Sequence, residues 1–346
     1  MTRRALTLAV AGFLVVLLSA VAALLPVPYV ALEAGPVTNT LGAVGKTELI
    51  RIEGRKTYPD KGNLDLTTVH VVGGPGSQLG LVTALRGWLD DGIAIVPEEQ
   101  VYPPGETAEQ AERESATEMR DSQENATTAA LRELGIPVET RLLVQDIPKG
   151  SPSKGKLQKG DELVAVDGQD VVGGAQLREQ ITAHEPGETV RVTVRRDAQE
   201  VTRAITTIAA EDGRALVGIT TRDVAEYPFT VEISLKDVGG PSAGLMFALG
   251  IVDKLTPGSL TEGAHIAGTG TIDDAGHVGP IGGITQKMIG ARKAGATVFL
   301  SPPGNCDEAK DTVPDGLRLV RATTLSSAVS SLERLAEGRT NGLPSC

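Results

Sequence analysis

After Arg3 and Arg4 the chain runs from Ala5 to Leu32 without a charged side chain, and most of that run is apolar. About 20 such residues suffice for a helix to span a bilayer. The pattern predicts a cytoplasmic tail at 1–4 and a transmembrane anchor at 5–27. A cleaved signal peptide is the alternative, because Ala20-Val21-Ala22 has the small-x-small form of a cleavage site. Apolar cores of cleaved signals are typically about 7 to 15 residues, and this run is longer. Under either reading, positive charge before the run and none directly after it places the remainder outside the cytoplasm.

Farther on, Leu64–Val72 alternates and is rich in β-branched residues, which predicts a strand ended by Gly73-Gly74-Pro75-Gly76. Alanines and charges at helical spacing predict one long helix from about Thr107 to Leu134, between Pro103-Pro104-Gly105 and Gly135-Ile136-Pro137. From about Val138 to Ile208, short alternating runs predict a small β-rich unit with one helix near Gln176–Ala183. The remaining stretch alternates strands and helices. PFTVEISL leads to a helix from Ser242 to about Leu255, then come HIAGTGTI and HVGPIGGI, a helix from about Thr285 to Ala294, the strand ATVFL and a final helix. Such alternation predicts helices packed on a sheet.

Length and composition narrow the class of function. A chain of 346 residues is expected to form two or three folded units. A net charge of −11 leaves no Lys/Arg excess to neutralise phosphates, which excludes a nucleic-acid binder. With aromatic residues at 3%, stacking platforms for sugars or bases are excluded as well. The two cysteines, Cys306 and Cys346, stand in a chain expected outside the cytoplasm, where thiols tend to pair. A disulfide there would stabilise by about 4 kcal/mol in the chain-entropy model; two free thiols remain the alternative. No metal-ligand set is present.

In the β-rich unit, Ser151-Pro152 to Leu157 is followed by Gly160-Asp161-Glu162-Leu163-Val164-Ala165-Val166-Asp167-Gly168. This run resembles PDZ domains of exported bacterial proteases, and Gly160, Asp161 and Gly168 carry the motif. The resemblance implies a PDZ domain at 128–208 that binds peptides as an added strand. An unrelated small β-domain with the same turn residues is the alternative. The carboxylate-binding loop expected before the strand at Leu142 is not evident.

Two further runs carry chemistry: Gly239-Gly240-Pro241-Ser242-Ala243-Gly244-Leu245 and Gly282-Gly283-Ile284-Thr285-Gln286-Lys287. They resemble the Lon-type serine peptidases, whose nucleophile and lysine base fall at Ser242 and Lys287. Thr269-Gly270 and Asn305 match further landmarks in the family's order. The resemblance implies an α/β (α+β) Lon-type protease domain at 212–340, a Ser-Lys dyad and no cofactor. Gly240, Pro241, Ala243, Gly244 and Thr269 would lie by the oxyanion or the substrate. A serine is a weak nucleophile until a base takes its proton, and a lysine serves as base once burial has made its amine neutral. Taken singly, Ser242 reads as a helix cap and Lys287 as a surface lysine; their ordered combination carries the reading.

Many relatives carry an acid three residues before the serine; here that place is Gly239, with Asp237 two farther back. Met119-Arg120-Asp121-Ser122 to Ala126 resembles a run that precedes the serine half of the family's fold. Residues 35–127 would then form an N-terminal lobe, with the PDZ domain inserted in the protease fold. His70, His184, His265 and His277 are available for a Ser-His-Asp triad, but no G-x-S-x-G elbow surrounds a serine, nor does an S-x-x-K with an S-D-N partner occur.

A nucleotide loop is missing too: Gly45-Lys46-Thr47 has Thr40 where its first glycine should stand. The expectation is therefore an ATP-independent, membrane-anchored serine endopeptidase acting on protein or peptide substrates such as small membrane proteins, with neither nucleic acid nor nucleotide as partner. Its organisation resembles the YlbL-like PDZ proteases of bacteria, and a homo-oligomer, a hexamer by analogy, is implied. The competing expectation is a non-catalytic PDZ-bearing binding protein.

Overall fold

The computed structural model describes residues 3–45, 47–235 and 238–346. Lys46 and Asp237, noted above, lie outside the described residues. Contacts divide the chain into two compact units: Met1–Ile136 with Phe229–Cys346, and Pro137–Pro228.

Unit 1 begins with helix α1, Arg3–Leu24. It stops short of the expected 27 because Pro26, which lacks an N–H, starts a two-residue pairing with Leu79-Gly80. Positions 5, 19 and 22–24 fall outside the described side chains. Among the described residues no helix is long and apolar enough to cross a membrane. There follow β1 (Tyr29–Asn39), β2 (Ile50–Glu53), β3 (Asn63–Val72), α2 (Leu81–Gly87), β4 (Ala94–Pro97) and α3 (Ala108–Glu133). A capping box between Thr107 and Gln110 fixes the start of α3.

Unit 2 contains β5 (Glu139–Asp146), β6 (Glu162–Val166), α4 (Gly174–Thr182), β7 (Thr189–Arg196), β8 (Gln199–Thr206) and β9 (Thr220–Glu226). The chain then returns to unit 1 with β10 (Thr230–Ile233), α5 (Gly244–Leu255), β11 (His265–Gly268), α6 (Ile284–Lys293), β12 (Val298–Ser301), β13 (Arg318–Arg321) and α7 (Leu325–Ala336).

The main sheet of unit 1 has the order β13-β12-β11-β3-β1-β4. The first four strands are parallel, and β1 runs antiparallel to both β3 and β4. Alternation along the central strands builds two layers of core. Ile266, Val298, Leu300 and Val320 face the side carrying α3, α5 and α7, whereas Ala267 and Phe299 pack with Ile284, Met288 and Ala291 of α6. Helix α5 is buried from Gly244 through Lys254, as expected of a helix apolar all round. Antiparallel pairing of β2 with β10 joins segments from before and after unit 2.

Unit 2 is an antiparallel sheet of order β8-β7-β6-β5-β9, with a short strand paired to β6. Val190, Val192 and Val194 alternate into its core against Leu177 and Ile181 of α4. Its limits differ from the expected 128–208. Residues 128–133 continue α3, and β9 pairs along its length with β5, so residues 212–228 belong here and not to a protease segment beginning at 212. Asp167 and Gly168, with φ of 50° and 83°, make the two-residue turn after β6.

Asp161 is buried and accepts from Arg196 Nε and Nη2, both at 2.7 Å, and from the Gln158 N–H at 2.8 Å. Burial pushes its carboxyl up, but the guanidinium and the N–H outweigh that and hold it below its ordinary value. Breaking such a pair leaves a charge without its partner. Asp161→Ala is expected to lower unit 2 stability by about 3 kcal/mol, read as the urea midpoint near pH 7. Because the folded value is depressed, this contribution is complete above the unfolded carboxyl value, about 3.9, and is lost as pH falls through the folded one. Acid titration of the two proteins should therefore converge at low pH.

Candidate active site

Ser242 lies in the turn leading into α5; the helix begins at Gly244, two residues later than the sequence predicts. Contacts from two directions fix that turn. From α3, Ser122 Oγ donates to the Pro241 carbonyl at 3.0 Å, and the Gly240 N–H donates to the Ser115 carbonyl at 3.0 Å. From the end of β11, Thr269 Oγ1 and the Gly270 N–H both donate to the Ser242 carbonyl at 2.9 Å. The Leu245 N–H returns a bond to the Gly270 carbonyl at 3.1 Å.

Close approach explains the small residues. A Cβ on Gly244 would stand 2.8 Å from Ile272 and 2.9 Å from Ser122 Oγ. At Gly239 it would meet Ser115 Oγ at 2.1 Å, so a side chain there requires the Ser115 hydroxyl to turn away.

Lys287 projects from the first turn of α6. The loop entering that helix is clamped by Asn305, whose Oδ1 accepts from the Ile281 N–H at 2.9 Å and whose Nδ2 donates to the Ile281 carbonyl at 2.8 Å. The sequence offered Asn305 only as a landmark; its structural part is to hold the approach to Lys287. Lys287 is 2% exposed. Its Nζ lies 2.8 Å from Ser242 Oγ and 3.1 Å from Thr269 Oγ1. Burial lowers its pKa to about 7, so the neutral amine is populated near neutrality.

The hydrogen-bond pattern then orients the amine. The Thr269 hydroxyl proton is committed to the Ser242 carbonyl, so Thr269 Oγ1 accepts an N–H from Lys287. A neutral Nζ bonded in that way can turn its lone pair to the Ser242 O–H, the arrangement a general base requires. Among the described residues the backbone N–H groups of Ser242 and Ala243 have no partner. They stand at the positive end of α5 and are available to an oxyanion.

The other residues singled out in the sequence lie apart from this cluster. His265 bonds Asp65 at 2.5 Å, His277 bonds Asp273, and His184 bonds Asp167 and Glu188 within unit 2. Cys306 and Cys346 form a disulfide, with Cα atoms 4.9 Å apart. Gly160, Asp161 and Gly168 shape turns of unit 2 and do not line its cavity.

That cavity, about 290 Å³, lies between α4 and the segment entering β9, with Leu177, Arg178, Ile181, Leu216, Val217 and Ile219 on its walls. Strand β9 pairs with β5 on one side only. Among the described residues the N–H groups of Val217, Gly218 and Ile219 carry no hydrogen bond. An extended chain could add to this edge with its end at those amides. The sequence reading missed these residues because it sought the loop ahead of β5. The signal was the apolar-Gly-apolar run Val217-Gly218-Ile219 ahead of β9, the edge strand supplied from the unit's other end.

Comparison with known proteins accords with both units. Residues 234–334 match the Lon protease (S16) C-terminal proteolytic domain, and residues 115–207 match the PDZ domain family. The second match starts within α3 and ends before β9. Lon protease 1 of Bacillus subtilis (strain 168) is 34% identical over 93 residues, covering 26% of this chain and 12% of its own. Lon protease of Roseiflexus castenholzii is 31% identical over 114 residues, 33% of this chain and 14% of its own. The chain thus spans about an eighth of the length of these relatives. A crystal structure of the PDZ domain of an SdrC-like protein from Listeria monocytogenes is 20% identical, covering 23% of this chain and 85% of that one, with a TM-score of 0.22. The chain therefore carries a Lon-type serine protease domain and a PDZ domain.

Lys287→Met is expected to abolish turnover, by about 1000-fold or more for loss of a general base, and yet to stabilise the protein at pH 7 and below. Folded Lys287 titrates at about 7 and the unfolded side chain at about 10.4, so folding expels a proton between those limits. The stability advantage of the methionine variant should shrink as pH rises from 7 to 10, and thermal melts across that range read it directly. Thr269→Val should lower kcat by roughly tenfold, the worth of one hydrogen bond.

Proposed function

We propose that the chain is an ATP-independent serine endopeptidase, tethered to the cell membrane by α1 with its working part outside the cytoplasm. In this reading Ser242 is the nucleophile and Lys287 the general base. The observation that carries it is the 2.8 Å approach of a buried lysine amine to a half-exposed serine hydroxyl. Lys287 Nζ takes the hydroxyl proton as Ser242 Oγ attacks the scissile carbonyl. The N–H groups of Ser242 and Ala243 receive the oxyanion, and the lysine ammonium returns its proton to the departing amine. Water then repeats the cycle on the acyl-enzyme.

The groove of unit 2 supplies recognition, taking peptide segments as an added strand along β9. Substrates are flexible or unfolded stretches, small membrane proteins among them, because no nucleotide loop is evident to drive unfolding. The uncharged run from Ala5 to Leu32 supports the tether. Arg3 and Arg4 ahead of it, with no charge directly behind it, support the outward orientation.

The test is cleavage of an unfolded protein by the full chain in detergent or vesicles, with and without ATP. Wild type should cut equally under both conditions and react with a serine-directed acylating probe, while Ser242→Ala and Lys287→Ala do neither. Turnover by Ser242→Ala at the wild-type rate would overturn the reading. Wild type that binds peptide in unit 2 but never reacts with the probe would favour the non-catalytic binding protein.

A further inference from the structure

Beyond Leu25, nine large apolar side chains are exposed among the described residues, and four of them fall within eight positions: Val82, Leu85, Trp88 and Leu89, at 55%, 47%, 56% and 89% exposure. At about 100° per residue they occupy one face of α2 and its C-terminal extension, spanning roughly a third of the circumference. Ala84 and Gly87, on the opposite side, are buried. A clustered stripe of this kind on a soluble surface calls for an occupant.

The position of the stripe says which occupant. Helix α2 starts where the chain leaving α1 is pinned: Pro26 and Val27 pair with Gly80 and Leu79, and the Leu81 N–H donates to the Leu25 carbonyl at 3.1 Å. The stripe therefore begins within one helical turn of the end of the apolar helix. Tyr29 packs edge-on against Trp88, with ring centroids 5.8 Å apart, and these are the two side chains that favour the boundary between lipid and water. Asp90 and Asp91 directly follow the stripe. Because carboxylates are costly inside hydrocarbon, they limit how deep it can go.

We propose that the Val82–Leu89 face lies in the headgroup region of the outer leaflet, as a second and shallow contact of this chain with the lipid bilayer. The inference rests on the reading of α1 as a membrane anchor. Two attachments restrain the tilt and rotation of unit 1 against the membrane, whereas a single helix leaves both free.

Trp88 is the chain's one tryptophan, so its fluorescence reports on this face without labelling. The full chain is reconstituted in phosphatidylcholine vesicles, floated on a density gradient after alkaline extraction, and titrated with iodide in the water and with bromine carried at shallow or deep acyl positions. The expected result is flotation, with Trp88 quenched most by shallow bromine and shielded severalfold from iodide. Val82→Ser, Leu85→Ser and Leu89→Ser combined should still float but lose the shielding. Flotation with Trp88 freely open to iodide overturns the inference and leaves the anchor standing. Shielding from both quenchers, which puts the face against protein, also overturns it. Failure to float overturns the anchor reading and this inference with it.

Discussion

A lysine amine with almost no water around it is the constraint on which the arrangement of unit 1 depends. Burying Lys287 is unfavourable for folding, because the ammonium form loses its hydration and the chain must release a proton to fold. That cost is tolerated only where the surroundings are rigid, since a helix free to shift would carry the amine back to solvent. The devices that prevent this are the Asn305 clamp on the loop ahead of α6, the α6 layer against Phe299, and the reciprocal bonds between the Ser242 turn and the end of β11. Together they hold a buried amine 2.8 Å from a half-buried hydroxyl.

The Thr269 hydroxyl shows how little freedom is left. It donates to the Ser242 carbonyl and so must accept from the lysine. One side chain thereby fixes both the backbone that carries the Ser242 hydroxyl and the direction in which a neutral Lys287 amine can point its lone pair. The fully buried helix α5 extends the same rigidity, because a helix packed on every side cannot roll and displace the turn at its start.

Much of this was legible in the sequence. Ser242, Thr269, Lys287 and Asn305 fall in that order along the chain, and their motifs are set by local geometry: small residues where α3 crosses the serine turn, and a Gly-Gly entry to α6. The long helix was legible from alanines and charges at helical spacing and from the breakers at either end. What escaped depends on pairing between distant segments. The sheet of unit 2 takes its edge strand from residues 220–226, long after the run that resembles a PDZ motif, so its boundary and its groove could not be read from contiguous sequence. The exposed stripe on α2 escaped for a related reason. Seven residues of apolar helix look like core until the structure shows which side is covered.

The continuity of unit 1 across unit 2 has a temporal consequence. A chain emerges from the ribosome from its N-terminus onward. The strand β3 and the helix α3 that holds the serine turn appear first, then all of unit 2, then Ser242, and Lys287 still later. Until residue 287 has been delivered Ser242 has no amine beside it, and until residue 305 follows the loop ahead of α6 lacks its clamp. The nascent molecule carries all of unit 2 while the pairing of Ser242 with Lys287 is still missing, so that pairing is the last part of the site to be assembled.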